Sequence, residues 1–271
     1  MNLNKNNPIF SPLLSSVRYH HLLFGFVGRE IKGRFAGNMA GMIWTIVAPL
    51  AAIAVYTFVF SMLMRIQVTT EETGTDSFII YFLTGFFPWM IFADSLNRAC
   101  GSLVDNSSLI TKVVFPVELL PFSSVLTSLI INGVGLGIVC LIMALHGYAG
   151  TAWIFLPFII FVQTFFTWGL ANLFAGICVF IRDTREFLNI LIMVWFFSTP
   201  IIYPMSMVPE SLRFFLSLNP MAMMADAYRS VLLLNQVPLL LFAVLTLLAL
   251  VSYCVGAWFF SRAKPAFADV L

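Results

Sequence analysis

Apolar residues in this chain fall into long runs separated by short polar stretches. Six runs, at about 41–64, 78–103, 122–145, 153–181, 187–203 and 238–260, carry almost no charge. A helix needs about 20 apolar residues to cross the hydrocarbon of a bilayer, so each run is read as a membrane span. Pro49 is expected to kink the first span, and Pro88 to break the second in its middle. The third carries Gly133, Gly135 and Gly137; Gly133 and Gly137 have the GxxxG spacing that permits close helix packing in lipid. The fold class is an all-α integral membrane protein with six transmembrane helices. The region 41–261 is its membrane domain.

The stretches between the runs are as informative. Residues 17–35, within an N-terminal arm at 1–40, are amphipathic. At 100° per residue Phe24, Val27, Ile31 and Phe35 share one face, with Arg29 and Lys32 opposite. Such a helix lies in the membrane interface; a basic juxtamembrane linker is the plainer alternative. Residues 105–121, DNSSLITKVVFPVELLP, are too polar to span and too greasy for a plain loop. Asp105, Asn106, Ser107 and Ser108 are able to cap a short helix, and Pro116 and Pro121 redirect the chain after it. A helix presented there is a docking surface, or an ordinary connection. Residues 204–237 hold two semi-apolar pieces, 210–218 and 221–234, split by Asn219-Pro220. They form either a re-entrant hairpin, which must be shielded by protein or a cavity, or surface helices on an exposed loop.

Composition narrows the class. The chain is 61% hydrophobic and 10% charged, against about 25% charged for a soluble domain. Asp94 and Arg98 are four residues apart and can pair. Asp94 sits roughly 24 Å along its helix, near the hydrocarbon boundary, which favours a structural pair over an ion site. Cys100, Cys140, Cys178 and Cys254 are widely spaced in apolar runs and read as small buried hydrophobes. No metal-ligand pattern joins them to His20, His21 or His146. Residues 1–16 lack a continuous apolar core, so no cleavable leader is expected. With six spans, Lys5, Arg18, Arg29, Lys32, Arg34, Lys112, Arg182, Arg185, Arg262 and Lys264 fall on one side, against Arg65, Arg213 and Arg229 on the other. The positive-inside rule then places both termini and 105–121 in the cytoplasm, and 204–237 outside.

Four stretches together resemble one family. REIKGRF with GMIWTIVAPL, GFFPWMIFADSL with LVDNSSLITKVVFPVELLP, FIRDTREFLNILIMVWFFSTPIIYPMSMVPE, and LNPMAMMADAYRSVLL are similar to the membrane subunit of ABC-2-type polysaccharide exporters. That family moves lipid-linked O-antigen, capsule and teichoic-acid polymers. The resemblance covers about residues 20–260 and implies a homodimer in the bacterial inner membrane. It also implies two separate ATP-binding-cassette ATPase subunits, which hold the ATP and Mg. The chain has no GxxxxGK[ST] loop of its own, so no cofactor and no catalytic residue are expected on it, and no nucleic-acid partner.

The resemblance implies a cytoplasmic coupling helix, with ATPase coupling assigned to Arg29, Glu30, Asp105, Asn106, Leu109, Ile110 and Lys112. It implies two short external gate helices, with Pro209, Asn219, Pro220 and Arg229 as gate residues. It further implies a channel lined from spans one, two and five. Tyr56, Phe60, Phe86, Phe87, Trp89, Trp195, Phe196 and Tyr203 are the candidates, because aromatic faces suit the C–H faces of sugars. For any single ring, lipid contact is the alternative. Rival readings are an ABC-2-type exporter of a drug or lipid and, from another class, a secondary transporter. The second would show related halves and ionisable groups at the midplane, and no internal repeat is visible here.

Overall fold

The computed structural model describes residues 9–37, 41–64 and 68–271, and among them every regular element is helical. Lys5 and Arg65, counted above among the cations, lie outside the described residues, as does part of the N-terminal arm. In chain order the helices are α1 (Phe10–Arg18), α2 (His20–Phe35), α3 (Trp44–Thr57), α4 (Thr70–Thr73), α5 (Phe78–Gly101), α6 (Ser107–Lys112) and α7 (Leu119–Leu145). They continue with α8 (Leu156–Phe180), α9 (Thr184–Phe197), α10 (Glu210–Ser217), α11 (Pro220–Leu232), α12 (Leu239–Ala263) and α13 (Phe267–Val270).

Among the described residues, five segments are long and apolar enough to cross a membrane: Gly41–Leu63, Phe78–Gly101, Leu119–Leu145, Thr151–Phe180 and Leu239–Ala266. The expected span at 187–203 is different. α9 has 14 residues, roughly 21 Å of helix against about 30 Å of hydrocarbon. It ends in a bend at Ser198–Thr199–Pro200, so this run is not one continuous spanning helix.

α5 is the centre of the bundle and packs against α7, α8, α9 and α11. Phe92, Leu96, Ala99 and Cys100 on it are fully buried. Pro88 does not break it: the helix runs unbroken from Phe78 to Gly101. Neighbouring helices hold the proline turn instead. Gln163 Nε2 on α8 donates to the Pro88 carbonyl at 2.7 Å, and Tyr228 Oη on α11 donates to Gln163 Oε1 at 2.7 Å.

Within this chain the GxxxG pair makes no close helix crossing. A Cβ on Gly133 or Gly137 would meet nothing, whereas one on Gly135 would collide with the Phe87 ring. The tightest crossing joins α8 to α12. There Gly256 lies against the backbone of Gly169, and Ser252 Oγ donates to the Phe166 carbonyl at 2.9 Å. α3 is the opposite case. None of its residues is buried, and it touches the bundle mainly along α7.

Candidate functional site

The N-terminal helices, the 104–118 connection, the start of α9 and the C-terminal segment all meet at one end of the bundle. The expected short helix there is α6, preceded by a 3₁₀ turn at Val104–Asn106. The expected caps do other work. Asp105 accepts two hydrogen bonds from the Arg185 guanidinium at 2.9 Å. Asn106 accepts one from Arg29 at 2.9 Å and donates to the Ser102 carbonyl at 2.8 Å. Neither makes a side-chain cap bond to α6. The two residues therefore tie the turn to α2, α5 and α9.

Leu109 and Ile110 are half-buried against a core containing Leu103, Phe26, Leu119 and Phe267. Lys112 is exposed. The apolar residues that project outward are Val113 and Val114, 50% and 105% exposed. Periodicity within six helical residues could not tell these two pairs apart.

The packed face of α2 is Leu23, Phe26 and Val27; of the apolar face expected to lie in the membrane interface, Val27 is buried in the bundle and Phe24 is 61% exposed. Glu30 continues the packed face. It pairs with Arg98 at 3.4 Å and accepts from Ser124 at 3.4 Å and Thr127 at 3.3 Å. The expected Asp94–Arg98 pair forms at 3.2 Å. Asp94 also holds Arg34 at 2.9 Å, Ser128 at 2.8 Å and Asn132 at 3.2 Å. One charged network therefore sews α2 to α5 and α7. These partners of Asp94 were missed: Ser128 and Asn132 are single polar residues on the apolar helix α7, and Arg34 is one of several cations on amphipathic α2. Beside the network lies a cavity of about 400 Å³ lined by Arg29, Glu30, Arg98, Asp105, Asn106 and Ser124 among others.

Burial holds the Glu30 carboxyl above its ordinary range, opposed by Arg98 and by the hydroxyls of Ser124 and Thr127. A carboxyl raised in the fold adds stability below its unfolded pKa, and that contribution is lost as pH rises through the folded value. Glu30→Gln is therefore expected to flatten the pH dependence of the melting temperature as pH rises from the ordinary carboxylate range, about 4.3. Melting curves across that rise check it; an unchanged slope would contradict the burial account.

The expected channel aromatics form two contiguous groups, apart from Tyr203, whose hydroxyl donates to the Phe197 carbonyl at 2.7 Å. Tyr56 and Phe60 on the first span meet Phe82 and Phe86 on α5 at 4.8–5.1 Å. Trp89 meets Trp195 at 6.5 Å and Phe196 at 5.5 Å. Tyr56, Phe60, Phe86, Trp195, Phe196 and Tyr203 are part-exposed, whereas Phe87 and Trp89 are each 4% exposed. Those two back the wall of this chain and do not present a surface.

At the other end, α10 and α11 form a hairpin. Its turn residue Asn219 caps α11, accepting from the Met221 amide at 2.9 Å, and Pro220 opens that helix. Asn219 also accepts from Trp195 Nε1 at 2.7 Å and donates to Ser198 O and Thr199 Oγ1 at 3.0 Å. The turn thus reaches the C-terminal end of α9, at the level of Phe92 on α5. Pro209 immediately precedes α10, its carbonyl accepting from Leu212 at 2.9 Å. Apart from Leu216, which is half-buried, every residue of α10 is exposed.

Arg229 on α11 is 6% exposed. Its guanidinium lies 3.7 Å over the Tyr81 ring and donates to the Pro200 carbonyl at 2.8 Å. It is the pin between the hairpin, α5 and the bend after α9. Arg229→Lys keeps the charge but loses the stacked planar fork. It is expected to destabilise the protein by roughly 2 kcal/mol, read as a lower melting temperature in detergent.

The comparisons extend over nearly all of this architecture. The sequence model of the ABC-2 type transporter family matches residues 21–233. A protein named O-antigen export system permease protein RfbA, from Klebsiella pneumoniae, is 27% identical over 92% of this chain and 95% of its own length. A protein of the same name from Myxococcus xanthus is 32% identical over 74% of this chain and 76% of its own length.

Proposed function

The chain belongs to the ABC-2 type transporter family of membrane proteins, and from that premise we propose that it is the membrane subunit of an ATP-driven exporter of a lipid-linked polysaccharide, O-antigen in the first place. Two copies form the translocation unit in the bacterial inner membrane, with both termini cytoplasmic. Two separate ATPase subunits carry the ATP and Mg. Catalysis belongs to them, and this chain supplies path and linkage.

The observation that carries the reading is the anchored 104–118 connection. A short helix is tied at its start to α2 and α9 through Arg29–Asn106 and Arg185–Asp105, and it ends in two outward valines. A segment held in this way passes a push from a partner into α2, α5 and α9 as a rigid-body shift. α2 lies in the interface with Lys32 toward headgroups and partner, while Arg29 and Arg34 turn to Asn106 and Asp94. The α10–α11 hairpin, pinned by Arg229, guards the outer mouth. The part-exposed aromatics on α3, α5 and α9 are offered to the polymer's sugar faces.

The test is genetic and chemical. Cells lacking this protein are expected to accumulate a lipid-linked polymer on the inner face of the membrane, and to recover on its return. Normal surface polymer in those cells, or transport by the purified chain in vesicles without any ATPase, would sink the reading.

A further inference from the structure

We propose that the C-terminal segment 264–271 is a strut beneath the coupling helix, and that Phe267 is the residue that positions α6. The inference rests on the coupling role given to 104–118 above and adds the part of the chain that braces it.

α6 has six residues, about 9 Å of helix, and a helix that short does not hold its own shape. Its rigidity must come from what lies behind it. Behind it is α13, reached from α12 through a 3₁₀ turn at Lys264–Ala266, and α13 packs on α6. Phe267 is 1% exposed in a segment that follows the last span. Its ring meets Phe260 of α12 at 5.2 Å and Phe180 of α8 at 6.0 Å. The same cluster takes Leu109, Ile110 and Leu271 at its rim. One side chain thus bridges the coupling helix to the ends of two membrane-spanning helices.

A second tie fixes the far end of the connection. Lys264 Nζ donates to Glu118 Oε2 at 2.7 Å, and Ser15 Oγ to Glu118 Oε1 at 2.7 Å. Glu118 is 2% exposed. With Arg29 and Arg185 at its start and Lys264 at its end, the connection is held at both ends, and Phe267 supports its middle. A load applied at Val113 and Val114 is then delivered to α12 and α8 as well as to α2 and α5.

The test uses the assembled complex with its ATPase subunits, reconstituted with lipid-linked polysaccharide from the host's own membrane. Phe267→Ala is expected to keep the ATPases bound but raise several-fold the ATP hydrolysed per polymer exported. Phe267→Leu, which refills the cluster, is expected to restore the ratio. Spin labels at the exposed Lys112 and Arg262 give a readout independent of substrate. Their separation should be narrow and unchanged by nucleotide in the parent, and broadened in Phe267→Ala. Should that variant fail to fold, Lys264→Met, which loosens only the second tie, is expected to show a smaller rise in the same ratio. An unaltered ratio and an unaltered distance distribution in a folded variant would overturn the strut. The coupling reading itself fails by a different result: full export with both outward valines made acidic.

Discussion

Val113→Asp with Val114→Asp is expected to stop export in a chain that still folds and inserts. Val114 stands clear of the protein at 105% exposure and Val113 is 50% exposed, so the change removes little packing inside this chain. Burying a valine against a partner is worth about 1.5–3 kcal/mol, and placing a carboxylate there adds a desolvation penalty. Losing both contacts is therefore worth at least ~3 kcal/mol, or more than about 100-fold in affinity for the partner. Co-purification of the ATPase subunits and surface-polymer staining give the readout. Undiminished partner binding and export would remove these residues from the docking surface. The same substitution at Leu109 and Ile110 would be a poor probe, because both are half-buried against the Phe267 cluster and acidic residues there would damage the fold first.

Gly256→Val is expected to abolish accumulation of the folded protein. At the α8–α12 crossing a Cβ on Gly256 would run into the Gly169 backbone, and one on Gly169 into Ser252 and Tyr253. Overpacking a core generally costs about 1–3 kcal/mol, but side-chain rotamers relieve that strain and backbone does not. The two helices would have to separate along their length, exposing the Ser252–Phe166 hydrogen bond and the apolar contacts on either side. Gly133→Val is the control, since a Cβ there meets nothing; it is expected to leave abundance and melting temperature near those of the parent. Membrane abundance of a fluorescent fusion checks both. A Gly256→Val protein as abundant and as heat-stable as its parent would show that the crossing is looser than described.

Which face of α2 is packed was not readable from its period. Hydrophobic periodicity separates apolar from polar faces. In a membrane protein, lipid and protein interior are both apolar, so the period does not say which apolar face meets which. Phe24 and Phe26 are equally apolar and stand about 200° apart on the helix, and it is Phe26 that packs: Phe24 is 61% and Phe26 9% exposed. The glycines teach the same lesson. GxxxG marks a surface where helices are able to approach, while the close approach inside this chain is made by Gly169 and Gly256, which no spacing rule connects. Asp94 and Arg98 were pairable from their four-residue separation, whereas Arg34 and Glu30 joined them from another helix.

The sequence alone determined that this is an all-helical membrane protein, where its long apolar helices lie, and that a short helix sits between α5 and α7. These follow from composition and from local backbone chemistry, which neighbours along the chain carry by themselves. The tertiary structure alone decided that α9 stops short of a full span and that Asn219 docks the hairpin on its end. It also decided that Val113 and Val114, not Leu109 and Ile110, face outward. Each depends on contacts between residues far apart in sequence, where an apolar side chain carries no mark of whether its neighbour is lipid, its own chain or another protein.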